Sequence, residues 1–326
     1  MQGTVAAARP APTLFAGADA LRERTAVRMR ELLATRRGGV YELVEYHLGW
    51  RDERGVEIPA AAGKMLRPLL CLTAAAGYGT ADDALDAAAS IELLHAFSLV
   101  HDDIEDGDAE RHHRPTLWTL RGVPLAINAG DSLFALAQRA LIDATAALAQ
   151  DRALLALRIF NEACLSMIEG QHRDIEFESR PLVTRAEYLE MTAGKTGALI
   201  GASLALGALF AGAPVKDVEA LRAAGVDVGI AFQAVDDTLA AWGDPARTGK
   251  PVGNDAERGK KSLPAVIACE RESLHASRDE SVRKETLALA RDYSGRALAA
   301  MEATQISRDA LADLRQLVAF ILGRES

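Results

Sequence analysis

The sequence predicts an all-α fold. Alanine and leucine are the most frequent residues, aromatic residues make up only 5%, and β-branched runs are scarce, which is the composition of helix-forming segments. Apolar residues recur with a helical period through almost the whole chain, and neither a strong strand pattern nor a repeat of fixed length stands out. With 49% apolar and 25% charged residues among 326, the chain has the profile of a globular protein with a sizeable core.

The predicted helices follow one another with few interruptions. Residues 1–18 are rich in alanine and proline and are expected to form a flexible N-terminal arm, and residues 49–64 are expected to form a loop. No linker divides the remainder, so a single helical domain is expected over residues 19–326. The amphipathic and apolar segments predict helices over 18–48, 66–78, 82–105, 124–148, 151–176, 185–212, 215–243 and 262–275, with one or two more over 280–324.

Charge and cysteine usage narrow the function. A net charge of −9 and a pI near 5.4 argue against nucleic acid as a partner, because phosphate contacts require a basic face. Cys71, Cys164 and Cys269 lack metal-ligand spacing, which is typical of reduced thiols in a cytoplasmic protein. Residues 197–215 are long and apolar enough to cross a bilayer, but they are mostly small and lie in mid-chain. A core helix is therefore expected there, and no transmembrane segment.

The most unusual stretch is residues 99–118, where six acidic residues fall within nine positions and Arg-His-His-Arg follows. In a helix, Asp102 and Asp106 lie about 40° apart and Asp103 about 100° from Asp102. The three carboxylates therefore project into one sector, directly after the apolar run IELLHAFSLV. A solvated helix end is the alternative. Because buried carboxylates need partners or a metal, and hard oxygen ligands suit Mg²⁺, a magnesium site is predicted.

A second acidic pair has the same setting. Asp236 and Asp237 follow another apolar helical run, with Gln233 one turn earlier. Either pair alone could be a solvated patch. Two pairs that each end a buried helix indicate carboxylates that converge on shared metal ions. Such ions would attract a strongly anionic ligand, a diphosphate.

Basic residues stand at several predicted loop–helix junctions, repeatedly beside glycine or proline. Each alone could be an ordinary surface charge, but neighbours that fix the approach of the backbone favour phosphate contacts. The sequence contains no Walker loop and no GxGxxG fingerprint, so nucleotide chemistry is not expected. The basic residues are Lys64, Arg67, Arg111, Arg114, Lys195, Lys250 and Lys260.

Taken in order, these motifs resemble the trans-isoprenyl diphosphate synthases, from about residue 30 to the C-terminal region. The resemblance rests on GKMLRP, IELLHAFSLVHDD, the DDIED that overlaps it, NAGD, GKTG, FQAVDD and GKPVGND…GKKSLP. It implies the isoprenoid synthase fold, a helical bundle around a deep central cavity, usually as a homodimer. It also implies condensation of isopentenyl diphosphate with an allylic diphosphate, helped by about three Mg²⁺ ions per active site.

The resemblance also assigns roles to residues by position. The implied metal ligands are Asp102, Asp103, Asp106, Asp236 and Asp237, which form the catalytic set together with Lys195 and Gln233. Around the allylic diphosphate it places Arg111, Lys195, Thr196, Gln233, Lys250 and Lys260. Around isopentenyl diphosphate it places Lys64, Arg67, His95 and the residue at position 112.

Two positions depart from the family pattern. The second acidic motif ends in Ala240, where the family has an acid, and Asp244 lies too far along to be assigned as a ligand. His112 stands where the family has a second arginine, so we expect it to weaken the isopentenyl diphosphate site or to make it pH-dependent. His113 and Arg114 are candidates to compensate.

Phe97 lies five residues before Asp102, about 7.5 Å deeper along the helix. A ring there would form the floor of the cavity and favour a short product, C20 first and C15 next. The alternative is an ordinary core phenylalanine. Neither the exact product and primer nor the pathway follows from the sequence.

Two other functions use the same scaffold. A class I terpene cyclase needs the metal site but no isopentenyl diphosphate site, and His112 and Ala240 favour it slightly. Against it, Lys64, Arg67 and His95 are present and the usual second metal motif of cyclases is absent. A non-catalytic partner subunit would be expected to lose the first acidic motif, which is intact here. The sequence therefore favours the synthase.

Overall fold

The structure, a computed structural model, describes residues 14–59, 64–242, 260–271 and 279–323. It confirms the all-α prediction. The helices, in chain order, are α1 (Ala18–Leu33), α2 (Gly39–His47), α3 (Leu66–Ala76), α4 (Leu85–Glu105), α5 (Leu117–Arg121), α6 (Val123–Thr145), α7 (Gln150–Ser179), α8 (Arg185–Thr192), α9 (Ala198–Phe210), α10 (Val215–Trp242), α11 (Leu263–Glu270), α12 (Glu280–Glu302) and α13 (Arg308–Leu322). A 3₁₀ turn (Ala81–Ala84) leads into α4, and a π-helical turn (Ala193–Gly197) joins α8 to α9.

Three details differ from the predicted elements. The helix predicted over 18–48 is two helices, because Gly38 before α2 has a φ of 110° that a helix cannot contain. A short antiparallel hairpin follows the first acidic motif, with strands β1 (Glu110–Arg111) and β2 (Arg114–Pro115). The helix predicted over 185–212 contains the π-helical turn, where the chain passes Lys195.

Helix α9 is the centre of the bundle. Its residues from Leu199 to Leu209 are all buried, and it packs against α3, α4, α7 and α10. Small residues allow these helices to touch along their backbones: a Cβ on Gly207 would lie 2.0 Å from the Cys71 carbonyl oxygen of α3, and one on Gly225 of α10 would lie 2.5 Å from Gly201 Cα. Close packing in the helical core therefore accounts for the small residues of α9.

The stretch from Arg185 to Phe210 is long and apolar enough to cross a membrane by length and composition. However, 72% of its most apolar window is buried inside the protein, which agrees with the predicted core helix.

A smaller apolar cluster supports the second acidic motif. Tyr188 and Met191 of α8 pack there with Leu263 and Ile267 of α11 and with Val235 of α10. This cluster holds the start of α11 against the helix that carries Asp236 and Asp237.

The described part of the predicted N-terminal arm begins at Leu14. Phe15 is buried in the main core cluster, and α1 begins three residues later. The division into an arm and one domain stays a prediction.

Candidate active site

The first acidic motif forms the C-terminal end of α4. Asp102 and Asp103 lie in its last turn, and Asp106 follows as the C-cap residue. Asp103 is buried and accepts a hydrogen bond of 2.7 Å from Arg111 Nε. Burial raises the pKa of Asp102 to about 6, an effect that the Asp106 carboxylate strengthens and that Lys195 and Arg111 oppose. The negative charge of the acidic run is thus offset by Arg111 of the hairpin and by Lys195 of the π-helical turn.

Two predicted lysines meet beside this motif. Lys260 Nζ lies 2.9 Å from both carboxylate oxygens of Asp106 and 3.9 Å from Asp174 Oδ2. Lys195 Nζ donates to the same Asp174 carboxylate. The structure therefore brings Asp106, Lys195 and Lys260 together as the resemblance implied, with Asp174 bridging the two lysines.

Asp174 was missed from the sequence. It lies on the inner face of α7 with Gln171, whose Nε2 donates to Glu105 Oε2 over 2.8 Å. The signal was present: Gly170, Gln171 and Asp174 interleave with the buried Met167 and Phe177 at helical spacing. Polar residues on a buried helical face need partners, so they mark a site.

The second acidic motif has different surroundings. Asp237 is buried and accepts hydrogen bonds from Tyr188 Oη at 2.5 Å, the Leu263 backbone N–H at 2.6 Å and Gln233 Nε2 at 2.9 Å. Burial raises the pKa of Asp237 to about 6, although these three hydrogen bonds oppose the shift. Both of its carboxylate oxygens are committed to neutral protein donors.

The rest of the second motif is simpler. Asp236 is partly buried, and Ala240, one turn later, is exposed. Asp244 and Lys250 lie outside the described residues.

The π-helical turn connects the two motifs. A Cβ on Gly170 of α7 would lie 2.2 Å from Lys195 N, and a Cβ on Gly229 of α10 would lie 2.4 Å from Gly197 Cα. The turn is therefore clamped between α7 and α10, at contacts that only glycine permits. Lys195 reaches Asp174 on one side, while Thr196 Oγ1 donates to Gln233 Oε1 at 3.1 Å on the other.

A second basic group, centred on Arg67, lies between the start of α3 and the neighbouring helix α4. Burial lowers the pKa of Arg67, although the carboxylates of Glu92, Asp236 and Asp102 oppose that shift. The Nε of Arg67 and the Oε2 of Glu92 are both buried, and neither has a hydrogen-bond partner among the residues that the structure describes. Burial raises the pKa of Glu92 to about 7, with Arg67 opposing the change.

Two histidines complete this basic group. Burial and the charge of Arg67 hold the pKa of His95 well below its usual range. Burial, followed by the charge of Arg111, lowers the pKa of His47 to about 3. His47 and Glu92 were missed from the sequence because each looks like an ordinary polar member of an amphipathic helix.

The hairpin formed by β1 and β2 carries His112, which stands where the family has a second arginine. His112 and His113 form its two-residue turn with φ values of 52° and 61°, as a type I′ turn requires, and both are exposed. Arg114 stacks its guanidinium 4.2 Å from the ring centroid of Tyr46 and donates to the Arg51 carbonyl over 2.7 Å. Arg114 is thus held in contacts with Tyr46 and Arg51, and compensation for His112 stays a prediction.

Phe97 lies in the core between α4 and α6. Its ring centroid is 4.8 Å from that of His101 and 5.2 Å from that of Phe134, and only 9% of the residue is exposed. The three rings form a wall below Asp102. The role of Phe97 as a floor stays a prediction.

The carboxylates fit magnesium only in part. Within the described ranges, no three His, Cys, Asp or Glu side chains are grouped closely enough to hold a metal by themselves. Mg²⁺ is commonly held by one or two carboxylates together with substrate phosphates, and Asp102 and Asp106, one turn apart, suit that arrangement. Asp237 does not suit it without giving up a hydrogen bond.

The chain is similar to known proteins of one family. Residues 52–292 match the sequence model of the family described as polyprenyl synthetase. The chain is 48% identical over 225 residues to a (2E,6E)-farnesyl diphosphate synthase of Mycobacterium tuberculosis, covering 69% of this chain and 62% of the relative. It is 45% identical over 241 residues to a geranylgeranyl diphosphate synthase of the same organism, covering 74% of this chain and 66% of the relative.

The match therefore spans slightly less than two thirds of these relatives. Among solved structures, a polyprenyl synthetase from Streptomyces coelicolor A3(2) superimposes with a TM-score of 0.87 at 33% identity, covering 95% of this chain and 99% of the other. The family match, the identity and the fold lead to one conclusion. The chain belongs to the polyprenyl synthetase family.

Proposed function

We propose that this protein is a Mg²⁺-dependent prenyltransferase that condenses isopentenyl diphosphate with an allylic diphosphate to give a short-chain trans-prenyl diphosphate. The observation that carries the proposal is the pair of basic groups around the end of α4. One contains Lys195 and Lys260 beside Asp106, and the other contains Arg67 and His95. Two diphosphates require two such groups, and the names of the relatives support the same reaction.

The group around Lys195 and Lys260 would bind the allylic diphosphate. Both lysines pair with carboxylates in the structure, so they can transfer these contacts to phosphate oxygens without losing a charged partner. Arg111 approaches from the hairpin, and Gln233 approaches from α10. Lys250, outside the described residues, is proposed for the same subsite. Their positive charge stabilises the negative charge that develops on the departing diphosphate.

Isopentenyl diphosphate would bind to Lys64, Arg67 and His95, with His112 at the rim. The C–O bond of the allylic diphosphate breaks to give an allylic cation and free diphosphate, and the double bond of isopentenyl diphosphate then attacks this cation. The new carbon–carbon bond forms first, and the departed diphosphate then takes the proton that restores a double bond. The deep apolar cavity that the resemblance implies would exclude water and so protect the cation from quenching. No side-chain nucleophile takes part in this sequence.

Asp102, Asp106 and Asp236 are the proposed Mg²⁺ ligands, together with the substrate's phosphate oxygens. When bound, Mg²⁺ would supply Lewis-acid stabilisation of the leaving diphosphate. Asp103 and Asp237 were also predicted as ligands. Their hydrogen bonds to Arg111 and to Tyr188, Gln233 and Leu263 support the coarser role of positioning the residues around them.

A product of C20, with C15 next, is proposed from the position of Phe97. The rings of Phe97, His101 and Phe134 would stop the growing chain. Replacement of Phe97 by alanine should lengthen the product, which chromatography of the dephosphorylated alcohols would measure. An unchanged product length would remove Phe97 as the floor.

A cytoplasmic homodimer is proposed as the working form. On α7, the exposed apolar residues Leu154, Leu165, Ile168 and Ile175 lie within about 80° of one another around the helix. A stripe of this kind is typical of an interface. Light scattering during size-exclusion chromatography would test it, and a monomeric mass would contradict it.

The decisive experiment incubates the purified protein with Mg²⁺, farnesyl diphosphate and labelled isopentenyl diphosphate. Label in a C20 alcohol that appears only after phosphatase treatment is the expected result. An unlabelled hydrocarbon formed without isopentenyl diphosphate would instead identify a terpene cyclase. No product from farnesyl, geranyl or dimethylallyl diphosphate would favour the non-catalytic subunit.

A further inference from the structure

A buried arginine on the N-terminal helix reaches the proposed isopentenyl diphosphate site from outside the family-matched region. Arg22 lies on α1, before residues 52–292 that match the family, and only 3% of its side chain is exposed. Its Nε donates to the Lys64 carbonyl oxygen over 3.1 Å, and its Nη1 lies 2.7 Å from Asp19 Oδ1. Burying a guanidinium is costly unless its donors are used, so this contact is a specific feature of the fold.

The accepting carbonyl belongs to a constrained turn. Met65, the next residue, has left-handed dihedral angles (φ 40°, ψ 45°) and caps α3, which is unfavourable for a residue with a Cβ. The first helical hydrogen bond runs from Leu69 N to the Met65 carbonyl, so the Lys64 carbonyl lies just outside the helical ladder. Arg22 donates to that carbonyl and holds the turn in place.

The Lys64–Met65 turn sets the direction of two side chains that are proposed to bind isopentenyl diphosphate. Lys64 immediately precedes Met65, and Arg67 follows in the first turn of α3. Helix α1 packs against α3 and α4, the two helices that carry Arg67 and His95. The basic group around Lys195 and Lys260 lies on other elements, the π-helical turn and the segment before α11.

We propose that Arg22 is a positioning residue for isopentenyl diphosphate, holding the Lys64–Met65 turn so that Lys64 and Arg67 face the diphosphate. The inference rests on the proposed function, which assigns that substrate to Lys64 and Arg67. It goes further by giving the N-terminal helix a part in the recognition of one substrate only. A residue that contacts neither substrate therefore controls the KM for one of them.

The main test is Arg22→Met, which keeps most of the side-chain length and removes both donors. We expect the KM for isopentenyl diphosphate to rise about tenfold, while the KM for farnesyl diphosphate and kcat stay within about twofold. Arg22→Lys keeps the charge but lacks the Nε donor, so it should restore folding better than it restores this KM. Titration calorimetry of each diphosphate with the folded variant provides the second measurement.

Two matched controls lie on the same helix. Asp19→Asn removes the exposed partner of Arg22 but leaves the Lys64 carbonyl contact in place. Arg24→Gln removes an arginine that pairs with Asp82 at the surface. Both should leave the two KM values within about twofold of the wild type.

The outcomes separate the inference from the function on which it rests. If the wild-type protein does not consume isopentenyl diphosphate, the proposed function fails. If it does, and the folded Arg22 variants keep the wild-type KM for that substrate, the positioning role alone is overturned. Equal weakening of both substrates, or an equal effect of Asp19→Asn, would likewise assign Arg22 a general structural role.

Discussion

The two acidic motifs begin with the same Asp-Asp pair at the end of an apolar helical run, yet their surroundings are opposite. At the first motif the carboxylates face cations: Arg111 donates to Asp103, and Lys260 donates to Asp106. At the second motif, the donors to Asp237 within the described ranges are neutral, among them Tyr188 and the backbone of Leu263.

The difference indicates a division of labour. A lysine that pairs with a carboxylate can transfer its hydrogen bonds to a diphosphate and remain satisfied. A buried carboxylate that gives up neutral donors leaves those donors unpaired, which costs about 1–3 kcal/mol for each. The first motif therefore suits the proposed exchange with a diphosphate, whereas the hydrogen bonds of Asp237 link α8, α10 and α11.

The largest effect is expected at the first motif. Asp102→Asn removes a proposed metal ligand and one charge from the exchange site, and we expect kcat to fall by roughly 10³-fold with little change in thermal stability. Steady-state kinetics at saturating Mg²⁺ would measure it. Glu110→Gln, an exposed acid in the same run, is the matched control and should stay within about twofold. Equal losses in both variants would show that only the total charge of the run matters.

The π-helical turn should be the next most sensitive element, because it serves both motifs. A methyl group at Gly170 would lie 2.2 Å from Lys195 N, so Gly170→Ala should displace Lys195 and destabilise the fold by about 1–3 kcal/mol. Because a displacement of about 1 Å can be sufficient to cost roughly 10²-fold in rate, a loss of that size is expected in kcat.

The control for this substitution is Gly295→Ala on α12, where an added Cβ meets nothing within 4 Å. It should leave kcat unchanged and stabilise the helix by about 0.5–1 kcal/mol. Urea denaturation and kinetics on both variants would separate close packing from helix propensity. Normal activity in Gly170→Ala would mean that Lys195 tolerates a shift of the turn.

Much of the fold and part of the candidate site could be predicted from the sequence, because short-range patterns determine them. Helical period predicted the bundle, and the spacing within DDIED placed Asp102 and Asp106 on one face. The lysines at 195 and 260 were found because each stands in a short motif. These are features that a few neighbouring residues determine.

What the sequence did not reveal depends on contacts between distant segments. Asp174 bridges Lys195 and Lys260 from 21 residues before the first of them. The spacing of Asp174 along α7 marks a polar face, but it does not indicate these two partners. Two of the three neutral donors of Asp237, Tyr188 and Leu263, come from other helices. The Asp-Asp sequence is the same in both motifs. It therefore does not indicate whether cations or neutral donors will surround the carboxylates.

A smaller effect is expected from Tyr188→Phe, which removes one donor from Asp237. We expect a loss of about 1 kcal/mol in the free energy of unfolding and roughly a tenfold fall in kcat, because Asp237 then holds α11 less firmly. The matched control is Tyr78→Phe. The Tyr78 hydroxyl lies 3.1 Å from Oδ2 of Asp217, a buried aspartate on α10 like Asp237. This control variant should lose similar stability but keep its kcat. If the two variants behave alike in kcat, Asp237 has no special role.

The smallest effect concerns Glu92, an acid that belongs to neither motif but faces Arg67, which interacts with both. Burial raises the pKa of Glu92 to about 7, so the carboxyl is protonated below pH 7 and ionised above it. An ionised Glu92 competes with an incoming diphosphate for Arg67. The KM for isopentenyl diphosphate should therefore rise a few-fold between about pH 7 and pH 8.5, and Glu92→Gln should remove this rise.

Stability provides an independent measurement of the same group. Because the pKa of Glu92 in the folded protein, about 7, exceeds the value of about 4.3 expected in the unfolded chain, the folded state binds the proton more tightly. The contribution of Glu92 to the free energy of unfolding is then fully present below about pH 4 and falls as pH rises to 7, by at most about 4 kcal/mol. The matched control is Asp86→Asn, because Asp86 lies on α4 like Glu92 but pairs with Arg28 of α1, away from the site. Between pH 5 and pH 7.5, urea denaturation should show a smaller decrease in the free energy of unfolding for Glu92→Gln than for Asp86→Asn. A wild-type slope in Glu92→Gln would mean that Glu92 is already ionised at pH 5, and that Arg67 is paired before any diphosphate arrives.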